Sequence, residues 1–247
     1  MDSEYMSKNP KIEFVSNIPY LSEIKEIQPV PASRFVPDWW KKVPYDKNME
    51  EAKYRPESMS VRQCPSFPDV FSAGYIIPMW ADTVISFDKE TLEWSWKCGG
   101  HNSDFNMIIF HPSQYLNHVE HKFQGTNATA IFQFDSPWHM FTDPGYSIMQ
   151  LPLFYHFNKD FSALPGIVDS DISFQHKIEI AYHGDGKEIF IKRGTPLVQM
   201  FPYKRDEFDL IVRDMNDEDK VRKEKDRVTR QTIFKNWYIK NRRNKSS

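Results

Sequence analysis

Apolar residues in this chain recur in short alternating runs, not at helical spacing. "SAGYIIPMWADTVISFD" (72–88) is apolar and β-branched, and "TLEWSWKC" (91–98) alternates strongly. "NATAIFQFDSPWHMFT" (127–142) sets Ile131, Gln133 and Asp135 opposite Phe132 and Phe134, and "GYSIMQLPLFYHF" (145–157) continues the pattern. Period-two alternation sends successive side chains to opposite faces of a sheet, so each run reads as a strand. "HKIEIAYHGDGKEIFIKRG" (176–194) reads as a hairpin: Ile178 and Ile180 alternate with charge, "GDG" turns, and Ile189 and Ile191 return. "TPLVQMFPY" (195–203) is a last apolar strand. The pattern predicts an all-β centre over 61–206, built as a sandwich or a closed barrel-like sheet.

The flanks differ. Residues 1–60 mix short apolar pieces with prolines and read as an irregular N-terminal arm. Within it "VPDWWKKVP" holds Trp39 and Trp40 between Pro37 and Pro44, where they either cover a core edge or form a stacking platform. "YDKNMEEAKYRPES" (45–58) reads as a surface loop. Residues 207–247 read as a C-terminal strand or linker and then a basic helix. "NDED" supplies a cap and acidic first-turn residues, and neither Pro nor Gly follows. The helix is expected from about 217 to about 240. Val221 and Val228 lie a heptad apart, and Phe234, Trp237 and Tyr238 fall at i, i+3, i+4. Lys235, Lys240, Arg242 and Arg243 interleave with those aromatics. Such a helix either docks its aromatic stripe on the body or a neighbouring subunit, or binds phosphate backbones.

Composition narrows the classes. With 247 residues, 40% hydrophobic and 15% aromatic, the chain can bury a sizeable core, which argues against disorder. A formal net charge of −2 gives no global field for nucleic acid or membrane. Proline outnumbers glycine, 17 to 9, which suits strands joined by stiff loops. Cys64 and Cys98 form no CxxC and read as reduced thiols. The opening "MDSEYMSKNPKIEF" lacks an apolar leader core, and no run approaches the ~20 apolar residues a bilayer span needs. The expectation is a protein that is neither secreted nor membrane-bound.

His118 and His121, with Glu120 between them, can ligate a divalent ion if one helical turn holds them; His101, His111 and His139 lie nearby in sequence. In a polar loop that spacing also arises by chance, and no metal site is assigned. Walker A, GxGxxG, GxSxG and zinc-finger spacings are missing from the sequence.

Four segments carry a resemblance. "FSAGYII" (71–77), "DPGYSIMQLPLF" (143–154), "GIVDSDIS" (166–173) and "GTPLVQMF" (194–201) follow one another in the order of the motifs of the dUTPase and dCTP deaminase superfamily. The chain resembles that superfamily over about residues 70–205. The resemblance implies a β-clip fold and a homotrimer with sites built between subunits. The whole chain also resembles a family of tailed-phage proteins, a likeness that brings no activity with it. It implies a setting in the cytoplasm of an infected host cell or in a virion.

Residue by residue, the resemblance keeps the frame and loses the chemistry. Asp169 matches the family's Asp that orients the attacking water. Ile172 stands where an aromatic stacks under deoxyribose. Leu153 and Phe154 replace an Arg and a Ser that hold phosphates. Ile76 replaces an Asp linked to Mg²⁺, and Pro196 replaces another Arg, while Gln199 is retained. Phosphoryl chemistry depends on neutralising charge, and one lost donor costs roughly a hundred- to a thousand-fold in rate. The expectation is therefore a catalytically degenerate module for binding or assembly, with no cofactor. The alternative is a divergent nucleotide pyrophosphatase or deaminase, with Asp169 catalytic, Mg²⁺ as cofactor and new ligands. Its ligand candidates are Asp171, Ile172, Gln199, Lys192, Arg193, Lys204 and Arg205. Convergence of those four cations near Asp169 would favour the enzyme. Asp169 and Asp171 can equally cap their turn. Gly166 and Gly194 are expected at sharp turns.

Overall fold

The computed structural model describes residues 9–44, 61–64, 66–88, 90–99, 108–111, 130–183 and 188–228. The chain divides into two compact units, Met1–Arg205 and Asp206–Ser247. The first is mostly β-sheet with few helices, as the alternation predicts. Its strands are β1 (Ile12–Ser16), β2 (Val30–Pro31), β3 (Tyr75–Pro78), β4 (Thr83–Phe87), β5 (Trp94–Cys98), β6 (Ile108–His111) and β7 (Ala130–Asp135). Then come β8 (Trp138–Thr142), β9 (Tyr146–Leu151), β10 (Phe161–Ala163), β11 (Gly166–Val168), β12 (Lys177–Tyr182), β13 (Ile189–Ile191) and β14 (Pro196–Lys204). Two short helices, α1 (Asp38–Lys42) and α2 (Ser66–Ser72), flank them.

All pairings are antiparallel and the described sheets are open. The largest runs β11-β9-β14-β3-β2, beside a four-stranded sheet β10-β12-β7-β6, a three-stranded sheet β13-β4-β5 and the pair β1-β8. They share one apolar core, to which Phe132, Phe134, Ile178, Tyr182, Ile77, Ile85, Met140, Ile148, Val198 and Met200 contribute. β14 is central to its sheet, and Leu197, Val198, Gln199 and Met200 are all buried there. β7 is buried on both faces, so its polar Gln133 needs a partner and donates to Glu179 Oε1 at 3.0 Å.

Three readings change. The predicted hairpin of 176–194 has its strands but not its pairing. β12 has β7 on one edge and β10 on the other, and β13 pairs with β4 in a different sheet. With both edges of β12 occupied, no ladder to β13 can form. Gly166 lies in β11 and needs no glycine there: a Cβ would meet nothing within 4 Å. Gly194 does turn the chain, at φ 82°. The N-terminal stretch is less irregular than its prolines suggest, since β1 forms a ladder with β8 and β2 extends the five-stranded sheet.

Trp40 is buried and stacks on Phe67 (5.3 Å, 9°), with Phe71 at 5.1 Å. Half-buried Trp39 donates Nε1–H to the Tyr155 carbonyl at 2.7 Å. The tryptophan pair thus closes a core edge between α1, α2 and the loop after β9. In the second unit, residues 217–228 form a helix, α3. Its start is a reciprocal cap: Asn216 Oδ1 accepts from the Asp219 N–H (2.9 Å), and Asp219 Oδ2 accepts from the Asn216 N–H (3.1 Å). The expected aromatic stripe (Phe234, Trp237, Tyr238), its basic neighbours, the "GDG" turn and the loop 45–58 lie outside the described residues. Among the described residues no helix is long and apolar enough to cross a membrane.

Candidate functional site

The loop after β11 folds on itself because Asp169 acts as its anchor. The Asp169 carbonyl accepts from the N–H groups of Ile172 (2.9 Å) and Ser173 (2.8 Å). This turn projects Asp169 and Asp171 toward the start of β9 and the end of β14. Arg205, leaving β14, meets both. Its guanidinium donates to Asp171 Oδ1 (2.8 Å) and Oδ2, and to Asp169 Oδ1 (3.3 Å). It also donates to Ser147 Oγ (2.8 Å) and the Tyr146 carbonyl (3.1 Å). Ser147 Oγ donates in turn to Asp169 Oδ1 at 2.6 Å. The Gly145 N–H donates to Asp171 Oδ2 at 2.8 Å, and the Gly145 carbonyl accepts from the Arg205 N–H at 2.9 Å.

The two carboxylates are unequal. The Asp171 side chain is 8% exposed and fully engaged. The Arg205 guanidinium, then the Gly145 N–H, hold its pKa down to about 2. The same pairing with Asp171 raises the pKa of Arg205. The Asp169 side chain is 53% exposed, and its bonds fall on Oδ1. One cation against two carboxylates leaves the cluster with net charge −1. A phosphate approaching that cluster meets repulsion, since like charges a few ångströms apart disfavour one another.

The other expected ligands take different positions. Ile172 is 77% exposed on the same loop. Gln199 is 3% exposed, and its amide donates to the carbonyls of Val70 (3.0 Å) and Ala73 (2.8 Å), which end α2. Its side chain completes a helix C-terminus. Lys192 and Arg193 follow β13. Arg193 is paired with Glu26 (2.7 Å), and its N–H donates to Asp82 Oδ1 (2.7 Å). Lys204 closes β14. Of the four candidate cations, Arg205 is the one the geometry joins to Asp169.

Ser147 and Gly145 are the partners that sequence reading passed over. The available signal was a serine inside the apolar run "YSIMQL", fully buried in the fold. At the position matched to phosphate ligands, Phe154 packs edge-on against Phe201 (6.1 Å). Ile76, matched to the metal-linked carboxylate, is buried at 2% and offers no oxygen. Among the described residues no three His, Cys, Asp or Glu side chains group as metal ligands. His101, His118, Glu120 and His121 lie outside the described residues, and the ring of His139 packs against Phe174 (5.6 Å). A hollow of about 870 Å³, lined by Ile211, Arg213, Met215 and Arg222 among others, belongs to the second unit and contains none of these site residues.

Comparison with solved structures gives weak similarity, with a dUTPase among the matching chains. Native EIAV dUTPase aligns with a TM-score of 0.32 and 11% identity, over 58% of this chain and 85% of its own. No protein-family model matches the chain. No curated protein matches it.

The cluster makes a stability prediction. Asp171→Asn, or Arg205→Gln, should lower the thermal midpoint at pH 7: the first leaves Arg205 with only its 3.3 Å contact to Asp169, and the second leaves two carboxylates without a countercharge. Since the folded pKa of Asp171 is depressed, its contribution is present above pH 3.8 and fades as pH falls toward 2. Asp171→Asn should therefore also flatten the acid limb of the stability curve. Melting curves from pH 7 to pH 2 that superimpose on the native ones would show that the pair carries no weight.

Proposed function

We propose that this chain is a dUTPase-like β-clip module that has exchanged nucleotide hydrolysis for binding and assembly, as a phage-encoded homo-oligomer in the infected cell or the virion. What carries the reading is the commitment of Arg205. The cation nearest Asp169 is spent on Asp171 and Asp169 themselves, so the cluster offers a phosphate a net negative charge. The retained motif residues support it by doing scaffold work: Gln199 ends α2, Gly194 turns the chain, and Asp169 anchors its own loop.

A second reading, a divergent nucleotide pyrophosphatase or deaminase, is favoured by one observation. Asp169 is half exposed with its bonds on one oxygen, a geometry that can orient a water. Thermal-shift titration with dUTP and dCTP, with and without Mg²⁺, separates the two. The expected result is an unmoved midpoint. A ligand at a hundred times its dissociation constant would add roughly 2.7 kcal/mol, a readily measured shift. A nucleotide-specific shift that disappears in Asp169→Asn would sink the module reading and make hydrolysis the next assay.

A further inference from the structure

The loop that leaves β9 carries a backbone cost that its own packing offsets only in part. Tyr155 and Phe157 stand at φ 60° and 52°, the left-handed region that bulky side chains avoid. At Tyr155 the strain has a return inside the fold. Its carbonyl accepts from the Trp39 Nε1–H at 2.7 Å, and its ring lies 4.7 Å from Phe67. At Phe157 the return is small. That ring is 69% exposed and meets only the rims of Trp39 (5.7 Å) and Tyr155 (6.3 Å). Trp39, Tyr155 and Phe157 together make a half-wet aromatic shelf outside the buried Trp40 and Phe71. A strained backbone that holds a ring in water is a feature of ligand clamps, since a core residue would recover the cost by burial.

We propose that this shelf binds single-stranded nucleic acid, with bases stacked on Phe157 and Trp39 and phosphates held by Lys42 and Lys159. Lys42 lies three residues after Trp39 in α1, so the two side chains leave the same face of the helix. Lys159 lies two residues after Phe157 in the same loop. Both lysines are exposed, and among the described residues neither forms a hydrogen bond or ion pair. Other polar groups of the rim are committed. Asp38 pairs with Lys41 at 2.8 Å, and Asn158 Oδ1 accepts from the N–H groups of Asp160 (2.9 Å) and Phe161 (3.4 Å). The Trp39 indole donor is spent on Tyr155. A sugar or a peptide needs such donors and acceptors between the rings. What the shelf still offers is ring faces and ammonium groups, and a base with its phosphate matches both. Exposed Asp160 offsets one of the two lysines, so stacking carries most of the affinity and the salt dependence is shallow. A duplex keeps its bases stacked inward and cannot use the shelf. The site follows the end of β9, whereas the Asp169 cluster gathers at its start, so it goes beyond the module reading and does not depend on it.

The test is fluorescence anisotropy of a labelled oligo-dT of about 12 nucleotides, titrated with the full-length chain at about 50 mM salt. The expected result is saturable binding in the micromolar range, weaker by roughly tenfold or more for a duplex of the same length. Phe157→Gly removes the stacking ring and relieves the backbone at once. It should weaken strand binding roughly 5- to 150-fold while the melting midpoint stays or rises. A ring that served packing alone would lower the midpoint instead. Lys42→Ala and Lys159→Ala should each reduce the slope of log affinity against log salt by roughly 0.7. Phe190→Ala removes a similarly exposed ring on β13 and should leave binding as it is. A native chain that binds no single strand overturns the proposal. So does equal affinity for the duplex, binding that Phe157→Gly leaves unchanged, a midpoint that falls in Phe157→Gly, or a salt slope that neither lysine substitution moves.

Discussion

Gly74→Ala is expected to be the most damaging single-methyl change in this protein, costing on the order of 4 kcal/mol or preventing folding. Gly74 sits at φ 68°, where a side chain is strained, and a Cβ there would lie 2.0 Å from the Met200 carbonyl oxygen. Met200 cannot retreat. It is 0% exposed on β14, paired with Tyr75 of β3 on one side and Gln150 of β9 on the other. Strain and overlap therefore add, against a total stability of only about 5–15 kcal/mol for a typical domain. The Gly74 carbonyl also accepts from the Ala32 N–H (3.0 Å), so displacement would loosen the chain after β2. Gly166→Ala is the control: with open space around its Cβ, it should be neutral or gain up to about 1 kcal/mol. Urea unfolding of both variants measures the contrast. A Gly74→Ala protein as stable as the Gly166→Ala protein would mean the close approach to β14 does not exist.

That contact also shows what the sequence could and could not disclose. "FSAGYII" carries a likeness to a motif, but the reason for its Gly74, which the sequence did not single out, is a carbonyl 126 residues away in the chain. Alternation told which stretches are strands, because period two is a local property. Pairing is not local. Ile178–Ile180 and Ile189–Ile191 look like the arms of one hairpin, yet β7 and β10 take both edges of β12. The candidate site divides the same way. The order of the motifs pointed to Asp169 and Asp171, and chain direction brings Arg205 to them as β14 ends. Lys192 and Arg193 entered the candidate set through charge alone, and Glu26, far upstream, takes Arg193. Gln199 entered the candidate set as the retained residue of a motif, and its two donors serve the end of α2. A buried polar residue signals an obligation to hydrogen-bond, without saying to whom.

His176 should make this protein acid-labile well above the range where carboxylates titrate. Its side chain is 1% exposed beside β12, with Nε2 at 2.8 Å from Gln150 Oε1. The Gln150 amide nitrogen donates to the Leu164 carbonyl at 2.9 Å, so its oxygen faces the imidazole and must accept. The proton therefore sits on Nε2, and Nδ1 is left as a buried lone pair without a partner. Charging such a ring means desolvating a cation, and burial pushes its pKa down to about 3. The sign follows directly. The folded state binds the proton less readily than the unfolded state, whose ordinary value is 6.5, so acid favours unfolding. His176's contribution is intact above pH 6.5 and drains away as pH falls toward 3. The slope approaches ~1.4 kcal/mol per pH unit, or about 2 kcal/mol between pH 7 and pH 5. Asp171 does not interfere, since its window opens below pH 3.8. Burial also lowers the pKa of His156, which pulls the same way, so a difference measurement is needed. His176→Gln keeps a donor toward Gln150 and cannot titrate. Urea midpoints at pH 7, 6 and 5 should fall more steeply for the native chain than for His176→Gln, with the variant overtaking or nearing it at pH 5. Parallel slopes would mean that the ring is wet enough to carry its charge, and that the pocket between Gln150 and β12 is not closed.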